Sequence, residues 1–191
     1  MRHTLLALAA IATLTVGTAQ AEVANYAIDP SHTFVTFEIG HMGTSTNRGR
    51  FDKKEGTAQL DTAGKTGKVD LTIDATSLST GTPAFNKHLM SADFFNVEQF
   101  PTIKFSADKF VFNGTKVSEI NGTLTLLGKT NPVTLKASNF NCYQNPMLKR
   151  EVCGGDFGTT IQRSQWGMTW GANYGFPDAV QLVVQVEAVK Q

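Results

Sequence analysis

From Tyr26 onward the chain alternates, with apolar side chains on every second position and the runs separated by glycine or Asn-Gly. Val35, Phe37 and Ile39 alternate with Thr36 and Glu38; Val69, Leu71, Ile73 and Ala75 alternate with Asp70, Thr72 and Asp74. Ile103, Phe105 and Ala107 alternate with Lys104 and Ser106, and Val133, Leu135 and Ala137 follow Pro132. A period of two places successive side chains on opposite faces of a strand, so each run has one apolar and one polar face. Phe110 and Phe112 lead into Asn113-Gly114, a pair that accepts the positive φ values of a tight hairpin, and Asn121-Gly122 precedes Leu124 and Leu126. The last run sets Val180, Leu182, Val184, Val186 and Ala188 against Gln181, Gln185 and Glu187. With a strand near Gly56 to Leu60 and another over Trp166 to Trp170, about eight strands are predicted.

One short helix is predicted over 86–92, around Leu89 and Met90; everything else reads as strand and turn. Antiparallel strands with one apolar face must stack as a sandwich or close as a barrel, and only closure removes the edges. An eight-stranded barrel is just wide enough to be filled by side chains or to hold one small ligand. The chain carries 13 phenylalanines, and Trp166, Met168 and Trp170 alternate on one predicted strand face. A packed aromatic core and an apolar cavity both use such residues, and the pattern alone leaves the two open.

The chain begins with Met1-Arg2-His3, an apolar run from Leu5 to Val16 and then Ala19-Gln20-Ala21, the form of a secretory signal cleaved after Ala21. Removing the first 21 of 191 residues leaves 170, enough for one domain, and takes away one cation, so that 16 basic residues face 16 acidic ones. Such a balance gives no general attraction to nucleic acid or to an anionic membrane. No later window has the ~18 apolar residues of a membrane span, so the exported product is expected to be soluble. Cys142 and Cys153, with ten residues between them, are expected to form one disulfide that staples a polar loop, worth about 3 kcal/mol in the chain-entropy picture.

Signals for catalysis are thin. His32, His41 and His88 are scattered, with no HExxH and no Cys/His cluster, so no metal is expected. Ser164 lacks a GxSxG frame, and no glycine-rich phosphate loop opens a helix. The expectation is therefore a protein without catalytic residues. The rival reading is an enzyme acting on a lipid, with His32, His88 or Asp93 as acid-base groups.

Several segments together resemble the YceI-like family of exported proteins. They are Tyr26-Ala27-Ile28-Asp29-Pro30-Ser31-His32-Thr33 with Phe37, Ile39 and His41; Gly49-Arg50-Phe51 and Gly56-Thr57; His88-Leu89 with Ser91 and Asp93-Phe94-Phe95; Phe100-Pro101-Thr102-Ile103 with Phe105; and Gly122 with Leu124-Thr125, Gly128-Lys129-Thr130 and Pro132-Val133. Where members of that family often carry Arg-Asp shortly before the His-Leu pair, this chain has Phe85 and Asn86. The segment around Cys142 and Cys153 resembles a periplasmic subgroup. The resemblance implies an all-β, eight-stranded antiparallel, lipocalin-like barrel with one short helix. It further implies a periplasmic protein that binds a polyisoprenoid lipid, either an isoprenoid quinone such as ubiquinone or a polyprenyl phosphate, and requires no other cofactor.

With that resemblance and the strand period combined, the expected lining is Phe37, Ile39, Phe51, Leu71, Ile73, Phe94, Phe95, Ile103, Phe105, Leu124, Trp166, Met168 and Trp170. At about 0.8 kcal/mol per buried CH₂, a tail of ~40 carbons would nominally yield roughly 30 kcal/mol, above the ~20 kcal/mol ceiling of non-covalent binding. Ordering costs or incomplete enclosure must take a large share. A phosphate head would need cations, for which Arg48, Arg50, Lys87 and Arg163 are the candidates. Membrane contact would be transient, for lipid exchange. A dry barrel acting through protein contacts, as a homodimer, is the remaining alternative.

Overall fold

The computed structural model describes residues 23–191; the signal-like segment 1–21 lies outside the described residues. In chain order the strands are β1 (Ala24–Ile28), β2 (Phe34–His41), β3 (Ser45–Phe51), β4 (Lys54–Asp61), β5 (Thr66–Asp74), β6 (Leu78–Ser79), β7 (Thr102–Asn113), β8 (Lys116–Leu126), β9 (Lys129–Asn145), β10 (Arg150–Gln162) and β11 (Ala179–Lys190). A single helix, α1 (Pro83–Met90), lies between β6 and β7.

Hydrogen-bonded ladders run β1-β4-β5-β7-β8-β9-β10-β11, and β1 returns to β11 through Tyr26↔Lys190, Ala27↔Val189 and Ile28↔Ala188. That ring of eight antiparallel strands is the expected barrel. A second arm, β2-β3-β6, also starts from β11. One edge of β11 is shared: its residues 188–190 pair with β1 and its residues 181–185 pair with β2. One end of the barrel is thus closed by backbone hydrogen bonds. At the other end β6 pairs only with β3, and side chains of α1 and the turn after it pack into the interior.

Local chemistry explains the interruption between β1 and β2. Pro30 has no N–H to give to a ladder. Asp29 organises the turn, its Oδ1 accepting from the Ser31 N–H at 2.8 Å and from the Ser31 hydroxyl at 2.5 Å, while its Oδ2 lies 2.8 Å from Nδ1 of His32. The wholly buried Thr33 bridges the gap in the ladder: its hydroxyl donates to the Glu187 carbonyl and accepts from the Glu187 N–H, both at 3.2 Å. The Glu187 N–H thereby gains a side-chain partner where the ladder is interrupted, and the Glu187 carbonyl accepts also from the Asp29 N–H at 2.9 Å.

Three expectations need correction. The helix starts earlier, at Pro83, because proline fits the first helical position, where its missing N–H is not needed. Residues 166–170 do not form a strand. Arg163–Trp166 is a 3-10 turn followed by Gly167 at φ 87°, and a second turn, Ala172–Tyr174, lies between Gly171 at 78° and Gly175 at 86°. Three left-handed glycines override the alternation of Trp166, Met168 and Trp170. The Cys142–Cys153 disulfide is present, but it joins directly opposed residues of β9 and β10 rather than spanning a loop. Among the described residues, no helix is long and apolar enough to cross a membrane.

Candidate functional site

At the splayed end the strands leave a cavity of about 110 Å³. Its wall is built from Val35, Phe37 and Ile39 of β2, Phe51 of β3, Ile73 of β5, Ile103 of β7, Leu124 and Leu126 of β8, Ile161 of β10, and Val180 and Leu182 of β11. Leu89 of α1, Phe94 and Phe95 of the following turn, and Met168 with Arg163 of the segment before β11 complete it. Ladder register puts these groups on one face, for Val35 pairs with Phe51 and Ile73 with Ile103. Gly49, opposite Phe37, makes room: a Cβ there would collide with the Phe37 ring. Phe37, Phe51 and Phe95 then meet with centroids 6.0, 5.8 and 5.4 Å apart, the last pair edge to face.

Among the residues expected to line a ligand site, Phe37, Ile39, Phe51, Ile73, Phe94, Phe95, Ile103, Leu124 and Met168 surround this cavity. Leu71 and Phe105 pair with each other and are buried in the core, one pleat further toward the closed end. Trp166, only 1% exposed, packs behind the wall with its Nε1–H donating to the Leu124 carbonyl at 3.0 Å. Trp170 lies outside, at the rim. The alternation had marked Val35, Leu126, Val180 and Leu182 as apolar without ranking them. Leu89 stood in the predicted helix and in the His88-Leu89 match without being ranked as lining, and Ile161 carried no distinguishing signal.

Around the rim a second group gathers. The Trp170 ring lies 4.9 Å from His88, 5.1 Å from Phe94 and 5.8 Å from Phe176, and His41 lies 5.5 Å from Phe176. Nε2 of His88 stands 3.1 Å from Oδ2 of Asp93. His32 is elsewhere, at the β1–β2 turn, where the hydrogen bond and charge of Asp29 raise its pKa. Partial burial alone would raise the Asp29 pKa, but hydrogen bonds from Ser31 and His32 bring it down to about 2. Ser164 donates its hydroxyl to Asp178 at 2.6 Å and has no histidine beside it in that bond. Among the described residues, no cluster of three or more His, Cys, Asp or Glu side chains gathers as a metal site would require.

The four candidate cations do not converge. Arg48 pairs with Glu38 and Arg50 with Asp52, each at 2.8 Å, and Lys87 is exposed on α1. Arg163 is 3% exposed; its Nε donates to the Pro177 carbonyl at 3.0 Å and its Nη1 to that of Met168 at 3.3 Å. Burial lowers its pKa, and the guanidinium braces the 163–178 segment while its stem faces the cavity.

The YceI-like domain family matches residues 26–188. A UPF0312 protein of Ectopseudomonas mendocina (strain ymp) is 32% identical over 189 residues, covering 95% of this chain and 98% of that protein. A UPF0312 protein of Pseudomonas aeruginosa (strain LESB58) is 34% identical over 175 residues, 90% of each chain. Among solved structures, the YceI protein of Campylobacter jejuni gives a TM-score of 0.71 at 25% identity, covering 80% of this chain and 90% of that one. A polyisoprenoid binding domain from Saccharophagus degradans, implicated in plant cell wall breakdown, gives 0.62 at 14% identity, covering 89% of this chain and all of that one. At that identity the likeness is one of fold.

Proposed function

The chain belongs to the YceI-like family, and from that premise we propose that it is a periplasmic carrier of a polyisoprenoid lipid, an isoprenoid quinone such as ubiquinone, with the tail inside the barrel. The observation that carries this reading is the cavity at the splayed end, whose wall is apolar and whose one charged residue turns its donors to loop carbonyls. A prenyl tail needs such a wall and nothing more specific. The fold shared with a polyisoprenoid binding domain supports the ligand class. The four candidate cations, each paired, braced or solvated apart from the others, favour a neutral head over a phosphate. A signal-like N-terminus and a disulfide support an oxidising, extracytoplasmic setting.

Ligand sites for molecules of this size usually measure about 300–1,000 Å³. A cavity of about 110 Å³ admits only the start of a tail, so loading requires the interior to open. Phe95 is the group to move. It belongs to the turn after α1 rather than to a strand, and its ring plugs the space against Phe37 and Phe51. The same volume is the observation that favours a second reading, a packed barrel working through protein contacts as a homodimer. Solvent extraction of protein purified from its native compartment, followed by mass spectrometry, separates the two. A stoichiometric prenyl quinone is the expected result, and an extract no different from that of an unrelated periplasmic protein would contradict the carrier reading.

A further inference from the structure

Basic and acidic side chains nearly cancel over the chain, 17 against 16, but they are not evenly spread. At the closed end the β4–β5, β7–β8 and β9–β10 hairpins come together with the end of β11, and residues of all four border one cavity. In those turns and the strand residues beside them, Lys65, Lys116, Lys149, Arg150 and Lys190 face only Asp61 and Glu151 among the described residues. All five cations are exposed. Both carboxylates are engaged, Asp61 accepting from the Gly64 N–H and Glu151 from the Tyr26 hydroxyl, each at 2.7 Å. The β9–β10 turn is also apolar at its apex, where Met147 is 86% and Leu148 51% exposed, and Tyr143 is exposed on the strand beneath. A lone exposed leucine is ordinary. Here the turn is built to hold two adjacent apolar side chains out. Asn145 accepts at Oδ1 from the N–H groups of Met147 and Leu148, at 2.9 and 3.0 Å, and its carbonyl accepts from the Lys149 N–H at 2.9 Å. Lys149 takes the left-handed φ of 54° that closes the turn, and the Cys142–Cys153 disulfide ties the stem three pairs below.

We infer that the β9–β10 hairpin is a docking tip for an anionic phospholipid surface, with Met147 and Leu148 entering the bilayer's outer layer and the surrounding cations meeting its head groups. The inference goes beyond the carrier reading and stands on different residues. Charge favours this occupant, because a basic cluster beside exposed apolar groups matches an anionic membrane, where each cation near the surface adds to the attraction. Shape favours it too. A specific protein partner needs about 800 Å² of matching surface on each side, whereas a convex apex of two side chains can be received by a bilayer without any preformed pocket. The docking sets an orientation. β10 runs from Arg150 at the tip to Gln162 near the splayed end, 13 residues and so ~40 Å of strand. A barrel seated on this hairpin therefore holds its splayed end clear of the bilayer, facing the aqueous compartment.

The test is co-sedimentation of the protein with vesicles of phosphatidylcholine alone and of phosphatidylcholine mixed with phosphatidylglycerol. Wild type should bind the mixed vesicles at low salt and release them at about 1 M salt, where charges are screened beyond ~3 Å. The double variant Met147→Ser, Leu148→Ser should bind about tenfold more weakly, and Lys149→Glu with Arg150→Glu should remove the preference for the mixed vesicles. All four positions are exposed, so these variants should unfold at the wild-type denaturant midpoint. Orientation is read with brominated phospholipid, which quenches only indoles that touch the bilayer. Emission of the added indole in Met147→Trp should be quenched, while the wild-type protein, with Trp166 buried and Trp170 at the splayed end, should not be. Quenching in the wild type would mean docking by the splayed end and would overturn the assignment. Equal binding to both vesicles, or unchanged binding by the Met147 and Leu148 variant, would do the same. Binding to neither vesicle would also overturn it, and would leave the tip to a protein partner. The interior lipid detected by solvent extraction is unaffected by any of these outcomes.

Discussion

The two ends of this barrel are built from the same alternating strands but are held differently. At the closed end β1 bonds to both β4 and β11, and the disulfide ties β9 to β10 nearby. At the splayed end the cover consists of α1, the turn after it and the 163–178 segment, which Arg163 braces internally, held to the barrel by side-chain packing, the Trp166 indole bond to the Leu124 carbonyl, the Asn131 amide bond to the Gln165 carbonyl and the Asn86 carboxamide oxygen that accepts from Thr80. Backbone ladders open only when many bonds break together, whereas a cover of side-chain contacts can part locally. One molecule thus combines a frame that preserves the fold with an end that, under the proposed function, opens to admit a tail.

Substitutions at the two ends should therefore separate stability from binding. The largest effect is expected from Phe140→Ala, which empties a buried site near the closed end and should cost about 3–5 kcal/mol in denaturant unfolding. Its affinity for lipid should be unchanged under conditions where it is folded. Replacing both cysteines with serine should remove about 3 kcal/mol, again without altering binding. Phe95→Ala should invert the pattern: a smaller loss of stability, because the turn can relax, together with release of bound lipid accelerated about tenfold, read by stopped-flow transfer to vesicles. Thr33→Val removes the hydroxyl that bridges Glu187 at the seam and should cost about 1–3 kcal/mol with no change in release.

The smallest effect concerns pH. The Asp29 pKa is lowered to about 2, so its contribution to stability is present above the unfolded value of 3.8 and is lost as pH falls toward 2. The His32 pKa is raised, so its contribution is complete below 6.5 and is lost as pH rises through the folded value. The turn should be tightest between about pH 4 and 6.5. The His32 ring is largely in water, so the pair is well screened and the change in stability should be slight, and the sensitive readout is the NMR titration of His32. Asp29→Asn should bring that midpoint down toward 6.5.

Much of the frame was legible in the sequence because period-two alternation is a direct record of which face of a strand is buried, and Val35, Phe37, Ile73, Ile103 and Leu124 were readable on that ground. The splayed end was not. Trp166, Met168 and Trp170 keep the same spacing as a strand, yet Gly167 and Gly171 take left-handed conformations, so the three side chains reach a buried wall, a cavity and an outer rim respectively. Arg163 was readable as a cation but not as a brace, since its acceptors are the carbonyls of Met168 and Pro177, brought to it by the fold. The cysteines were readable as a pair, while their place in a strand ladder depended on β9 and β10 pairing as far as Asn145↔Arg150. A period reports the facing of neighbours along one strand and carries no information about where a splayed sheet leaves room.

Hydrogen exchange of the protein, with and without a short-tailed prenyl quinone, tests most directly the claim that the lipid enters and stays at the splayed end. Without ligand, amides of α1, the turn after it and residues 163–178 should exchange faster than those of β1, β10 and β11 at the closed end. Quinone should slow exchange in those covering segments and leave the closed end unchanged. Protection that appears instead at the β1–β11 seam, or that spreads evenly over the barrel, would contradict it.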